Sequence, residues 1–213
     1  MQLSEYMLSV GTKARAAANE LLKIPTNKKN QALSAISDSI LENKSEIKKA
    51  NERDLGEAEK KGLDAASLDR LRLTDKSIDL ILHGLNQVVA LPDPIGNLEQ
   101  LSYRPNGLQV GKMRVPIGVV GIIYESRPNV TVDAAALCLK SGNSVILRGG
   151  SEAFHSNRSL VGAILLGLKK TGLNESSVQF LETSDRKYVK ELVGMKDFID
   201  VLVPRGGKSL IEL

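Results

Sequence analysis

Residues 117–148 read IGVVGIIYESRPNVTVDAAALCLKSGNSVILR, and the order of textures in this stretch decides the fold. Ile117 to Glu125 is a nearly continuous apolar run, as in a strand buried on both faces. Val130 to Gly142 has the pattern of an apolar helix ended by glycine, and Ser144 to Arg148 that of a second buried strand. The alternation continues downstream. Ser151 to Gly172 predicts a helix with Ser151 as its cap, SVQFL a strand, and SDRKYVKELVG a short helix capped by Ser184 or Asp185. FIDVLV then gives a fourth strand before a Pro-Arg-Gly-Gly turn. Strands alternating with helices over short connections predict a parallel sheet with helices on both faces. Ligands of such sheets sit beyond the carboxyl ends of the strands. Here those ends are Tyr124 to Asn129, Arg148 to Glu152, Leu181 to Asp185 and Pro204 to Ser209, all polar or glycine-rich.

Upstream the period is helical. Met7, Val10, Ala14, Ala17 and Leu21 share one face, and Leu33, Ile36, Ile40 and Ile47 another, with Thr26 as a cap. The polar stretch Asn51 to Lys61 reads as an exposed helix end stopped by Gly62. Thr74 opens a further helix with Ile78, Ile81, Leu82, Leu85 and Val88 inward, and Pro92-Asp93-Pro94 closes this section. Asn106-Gly107 is a two-residue hairpin signal between LEQLSYR and LQVGKMRV.

The chain has 213 residues, 42% hydrophobic and 25% charged, a normal globular balance. No apolar run is long enough for a membrane span, and the N-terminus has no secretory signal. One cysteine, Cys138, excludes an internal disulfide framework and makes a reducing cytoplasm the default. The net charge of +4 comes from basic residues interrupted throughout by Asp and Glu, and aromatics are 3% with no Trp. Nucleic-acid binding is therefore not expected.

Few residues carry a chemical signal. Val203 to Ile211, VPRGGKSLI, contains Gly-Lys-Ser, but an ATP phosphate loop needs a glycine where Leu202 stands. What remains is a glycine turn into a helix, still a place for a phosphate. Arg148-Gly149-Gly150-Ser151 is either an anion site at a helix N-terminus or a tight turn with a surface arginine; a G-x-G-x-x-G fingerprint is missing. Arg127 could pair with a carboxylate or phosphate. Asn129 is either a helix cap or a donor to a developing oxyanion, and on residue type alone the cap is favoured. Cys138 lies mid-helix among apolar residues and reads as a packing residue. Two lone histidines and one cysteine make no metal site.

The blocks RVPIGVVGIIYESRPNVTVDAAALCLKSGNSVILRGGSEA and DVLVPRGGKSLI resemble the gamma-glutamyl phosphate reductases of the aldehyde dehydrogenase superfamily. The resemblance implies an α/β fold with a Rossmann-like parallel sheet of the aldehyde dehydrogenase type. Residues 1–96 would be an N-terminal helical section, 97–115 a β-hairpin serving as oligomerisation arm, and 116–213 a dinucleotide-binding section. The chain would be truncated before the catalytic domain. It implies NADPH-dependent reduction of L-glutamyl 5-phosphate to glutamate 5-semialdehyde and phosphate in proline biosynthesis, through a cysteine thioester. By resemblance Arg148, with Ser151 and Glu152, lies near the adenine ribose, and Arg205, Gly206, Gly207 and Ser209 face the pyrophosphate. Arg127 and Asn129 fall between cofactor and substrate. The family's nucleophilic cysteine lies in the half this chain lacks, and Cys138 does not match it. A cytoplasmic homo-oligomer and a contact with a glutamate 5-kinase follow as expectations, with no membrane, nucleic-acid or metal partner. The alternative is a non-catalytic NADP-binding or assembly module.

Overall fold

The computed structural model describes residues 4–183, 185 and 187–206. Five helices come first: α1 (Glu5–Leu21), α2 (Thr26–Glu42), α3 (Lys44–Lys60), α4 (Ala65–Leu71) and α5 (Asp75–Ala90). A hairpin follows, β1 (Leu98–Tyr103) and β2 (Gln109–Met113). The rest alternates: β3 (Val119–Tyr124), α6 (Asn129–Lys140), β4 (Ser144–Arg148), α7 (Phe154–Lys170), β5 (Val178–Phe180), α8 (Lys187–Gly194) and β6 (Val201–Arg205).

β3, β4, β5 and β6 form one parallel sheet in the order β5-β4-β3-β6. Side chains alternate across it, as the two-residue period of a strand requires. Val120, Tyr124, Val145 and Leu147 pack into the cluster of α2, α5, α6 and α7. Val119, Ile123 and Ile146 pack with Met7, Val10 and Ala14 of α1 and Val189 and Leu192 of α8. Burial on both faces is why β3 and β4 read as continuous apolar runs.

Several local expectations change. Leu33, Ile36, Ile40 and Ile47 do not share one helix. The chain breaks at Asn43, whose amide donates to Ser39 O at 2.8 Å. Thr26 does not cap α2: Pro25 holds the cap position, and the Thr26 hydroxyl donates to Asp93 instead. Thr74 does cap α5, in a capping box with Ser77. Asp185 accepts from the Lys187 N–H at 2.9 Å; Ser184 lies outside the described residues. The hairpin turn is not a two-residue loop. The Gly107 N–H reaches Arg104 O and the Arg104 N–H reaches Leu108 O, so Arg104 to Gly107 form a four-residue turn. Pro105 fixes its second position, and Gly107, at φ +85, supplies the left-handed residue that rejoins the strand.

The polar stretch 51–61 is not simply an exposed end, because Asn51 and Asp54 are each 2% exposed. Asp54 accepts from the backbone N–H of His155 (3.0 Å) and Ser156 (2.7 Å) and from the Ser156 hydroxyl (2.6 Å). It thus caps α7 from another helix. Ser151 does not cap α7, and its hydroxyl faces Glu152.

The fourth strand lies later than expected. Phe198 and Ile199 precede it, and Pro204 and Arg205 belong to it, paired with Ile123 and Tyr124. Proline is tolerated there because β6 is an edge strand among the described residues. Asp200 fixes its entry by accepting from the Val119 N–H and the Arg15 guanidinium, both at 2.8 Å. Burial opposes ionisation of this carboxyl, but those bonds outweigh it and hold its pKa below the usual value. No helix among the described residues is long and apolar enough to cross a membrane.

Candidate functional site

The chain leaves β3 for β4 and β5 on one side and returns to β6 on the other. Such a reversal opens a crevice at the carboxyl ends of the two diverging strands. Between β3 and β6 lies a cleft of about 390 Å³ whose lining includes Arg70, Glu125, Ser126, Arg127, Arg205 and Gly206. A second cleft of similar size shares Arg70 and Arg127 and adds Arg72, Asn129 and Asp133.

A buried polar chain lies under this edge. Tyr124 Oη and Thr131 Oγ1 are 2.6 Å apart, and Thr131 donates to Asn157 Oδ1 at 2.9 Å. Thr131 has spent its proton on Asn157, so Tyr124 is the donor to Thr131. Burial pushes the Tyr124 hydroxyl pKa up, which suits a neutral donor. Among the described residues the Asn157 amide nitrogen, buried, has no hydrogen-bond partner, and it sits 2.2 Å from where a Cβ on Gly149 would stand. Glycine at 149 is thus required by packing: a side chain there would displace the amide that ties α6 to α7. A Cβ on Gly150 would likewise meet the Glu152 carboxylate at 2.2 Å.

Arg148 is the last residue of β4, half-buried, in register with Ile123 of β3. Ser151 and Glu152 begin the single 3-10 turn that follows Gly149-Gly150. Arg205 ends β6 beside Tyr124, with Gly206 just beyond it. Gly207 and Ser209 lie outside the described residues. Arg127 and Arg205 meet at the β3–β6 crevice, while Arg148, Ser151 and Glu152 stand one strand away. Asn129 is the first residue of α6, where Pro128 occupies the cap position. Its amide donates to Asp133 Oδ2 at 3.1 Å, and it lines the second cleft only. Burial raises the Asp133 pKa.

Cys138 is 7% exposed, and desolvation pushes its thiol up to about 12. A thiol this far from ionisation is a poor nucleophile. Alkylation by iodoacetamide at pH 8 is expected to run at least a hundredfold slower in the folded chain than in denaturant. A folded-state rate within tenfold of the denatured one would show an accessible, ionising thiol. Among the described residues no group of three or more His, Cys, Asp or Glu could hold a metal.

Sequence reasoning placed Tyr124 at a ligand-facing strand end without giving it a role, and did not find Arg70, Thr131, Asn157 or Asp54. Arg70 stands in Leu68-Asp69-Arg70-Leu71, which carries no motif; only the folded chain brings it to the cleft with Tyr124 and Arg127. Asp54 could have been suspected as an unpaired acid on a helix, but its partners lie about a hundred residues away.

A sequence profile described as the aldehyde dehydrogenase family matches residues 5–206. The chain is 57% identical over 210 residues to a gamma-glutamyl phosphate reductase of Psychrobacter arcticus, covering 99% of this chain and 49% of that protein. Its fold is similar to the crystal structure of the gamma-glutamyl phosphate reductase of Thermotoga maritima, with TM-score 0.95 and 42% identity over 97% of this chain and 50% of that one. The Saccharomyces cerevisiae gamma-glutamyl phosphate reductase gives TM-score 0.90 and 32% identity, over 99% of this chain and 53% of that one. The chain thus spans about half the length of the relatives it matches.

Proposed function

Because the chain belongs to the aldehyde dehydrogenase family, we propose that it is the cofactor-binding half of a reductase that converts L-glutamyl 5-phosphate to glutamate 5-semialdehyde and phosphate, with NADPH as reductant. The observation that carries this reading is the β3–β6 crevice with Arg127 and Arg205 at its mouth, in a chain that is 57% identical to a reductase of that name. The residues suit a dinucleotide. Arg148 and Arg205, at the carboxyl ends of β4 and β6, offer fixed charge to phosphate oxygens. NADP(H), when bound, supplies the hydride. Arg148 with Ser151 and Glu152 holds the adenosine end, and Arg205 with Gly206 the pyrophosphate. Cys138 contributes no nucleophile, so the chain binds cofactor without turning over by itself. The hairpin serves association between copies, which its exposed Leu98, Leu101, Tyr103 and Met113 support.

The test is a titration of the folded chain with NADPH, followed by cofactor fluorescence. Saturable binding is expected, and Arg148→Ala should weaken it about tenfold or more, the loss of a charged hydrogen bond. A folded chain that shows no saturable binding would refute the proposal.

A further inference from the structure

The crevice holds more positive charge than the dinucleotide assignment uses. Arg70, Arg127 and Arg205 all line it, against one carboxylate, Glu125. Among the described residues, none of the three guanidiniums is ion-paired to a carboxylate. Three unpaired arginines converging on one cleft repel one another, an arrangement that an anion between them relieves. The two clefts meet at Arg70 and Arg127, which line both.

Arg70 also stands on a rigid mount. Asn51, buried, donates to Leu71 O and accepts from the Leu73 N–H, both at 2.8 Å, clamping the backbone just after Arg70. Its amide donates again to Ser156 Oγ at 3.0 Å, and Ser156 is held by Asp54. Leu71, fully buried, packs with Leu55, Ala58 and Ala153. Helix α4 is thereby tied to the start of α7, while the Arg70 side chain stays open to the cleft. A fixed backbone lowers the ordering cost of the hydrogen bonds that a guanidinium makes.

We infer that Arg70 and Arg127 form an oxyanion clamp that takes the phosphoryl group of the acyl-phosphate substrate, leaving Arg205 to the cofactor. This rests on the reading in the preceding subsection. A guanidinium offers a planar fork of donors matched to phosphate oxygens, and two of them suit a dianion. Arg127 lies in the loop after β3, Arg70 comes from outside the sheet, and the clamp joins the two.

The test uses the 213-residue chain and inorganic phosphate as probe, read by calorimetry with and without saturating NADPH, and with L-glutamate in a parallel titration. Phosphate is expected to bind saturably, to persist with NADPH present, and to weaken at least tenfold in Arg70→Ala. Arg104→Ala, the same charge change on the hairpin, should leave it unaltered. NADPH affinity should change less than twofold in Arg70→Ala. The clamp is overturned if phosphate does not bind, if Arg70→Ala leaves its affinity intact, or if NADPH abolishes the binding, which would make it a cofactor-phosphate site. It is also overturned if L-glutamate, and not phosphate, shows the dependence on Arg70. Phosphate binding that depends on Arg70 in a chain that binds no NADPH would leave the clamp standing and sink the cofactor reading instead.

Discussion

Asp54→Ala is expected to destabilise the folded chain by about 3–5 kcal/mol, a large share of the roughly 5–15 kcal/mol typical of a domain. The Asp54 carboxylate is the acceptor for two backbone N–H groups in the first turn of α7 and for the Ser156 hydroxyl. Alanine leaves these buried donors without it, at about 1–3 kcal/mol for each one unpaired. It also removes a negative charge from the positive end of a seventeen-residue helix. Asp54→Asn keeps one acceptor oxygen and should recover about half of the loss. Urea unfolding followed by circular dichroism measures both variants. A loss under 1 kcal/mol for Asp54→Ala would show that water replaces the carboxylate and that α7 does not need this cap.

The second large effect concerns the crossing of α2 and α7. A Cβ on Gly167 would lie 2.6 Å from the backbone nitrogen and Cα of Ile36. Backbone cannot swing aside as a side chain can, so the two helices would have to separate. Alanine is intrinsically better than glycine in a helix by about 1 kcal/mol, so the sign of Gly167→Ala reports which effect wins. We expect the clash to win, with a net loss of about 1–3 kcal/mol and a larger one for Gly167→Val. Gly162, on the same helix, is exposed and has nothing within 4 Å of its Cβ position. There Gly162→Ala should stabilise by about 0.5–1 kcal/mol. Thermal melts of the pair decide the matter, since equal shifts of one sign would mean that the crossing does not set the requirement for glycine.

The parallel sheet was legible because burial on both faces writes itself into sequence as unbroken apolar runs, as in Val119 to Tyr124 and Ser144 to Leu147. Helix stops were legible where glycine takes a left-handed conformation, as at Gly142 and Gly172. Of the arginines lining the β3–β6 cleft, Arg127 and Arg205 were singled out in sequence because they stand at strand ends; Arg148, singled out for the same reason, lines neither cleft. Asp54 and Asn51 were misread as solvated because polarity in sequence does not distinguish a side chain facing water from one facing the open end of another helix. Arg70 left no trace, since its meaning comes from where α4 is docked. The break at Asn43 was hidden for a related reason. Two helices that meet end to end around the same core continue one apolar period.

Helix α1 has a timing problem that its contacts reveal. It packs between the sheet and α8, and it is fastened at Arg15 by Asp200 and at Ser4 by Glu191, which are 185 and 187 residues further along. On a ribosome adding about 5–20 residues each second, the first helix waits roughly 10–40 s for those partners to be made. Until β3 and β4 have been made, Met7, Val10 and Ala14 have no Val119, Ile123 or Ile146 to cover them. A nascent chain of this protein therefore offers chaperones the apolar face of α1. That offer is withdrawn in stages, as β3 and β4 cover the helix and then Glu191 and Asp200 fasten it.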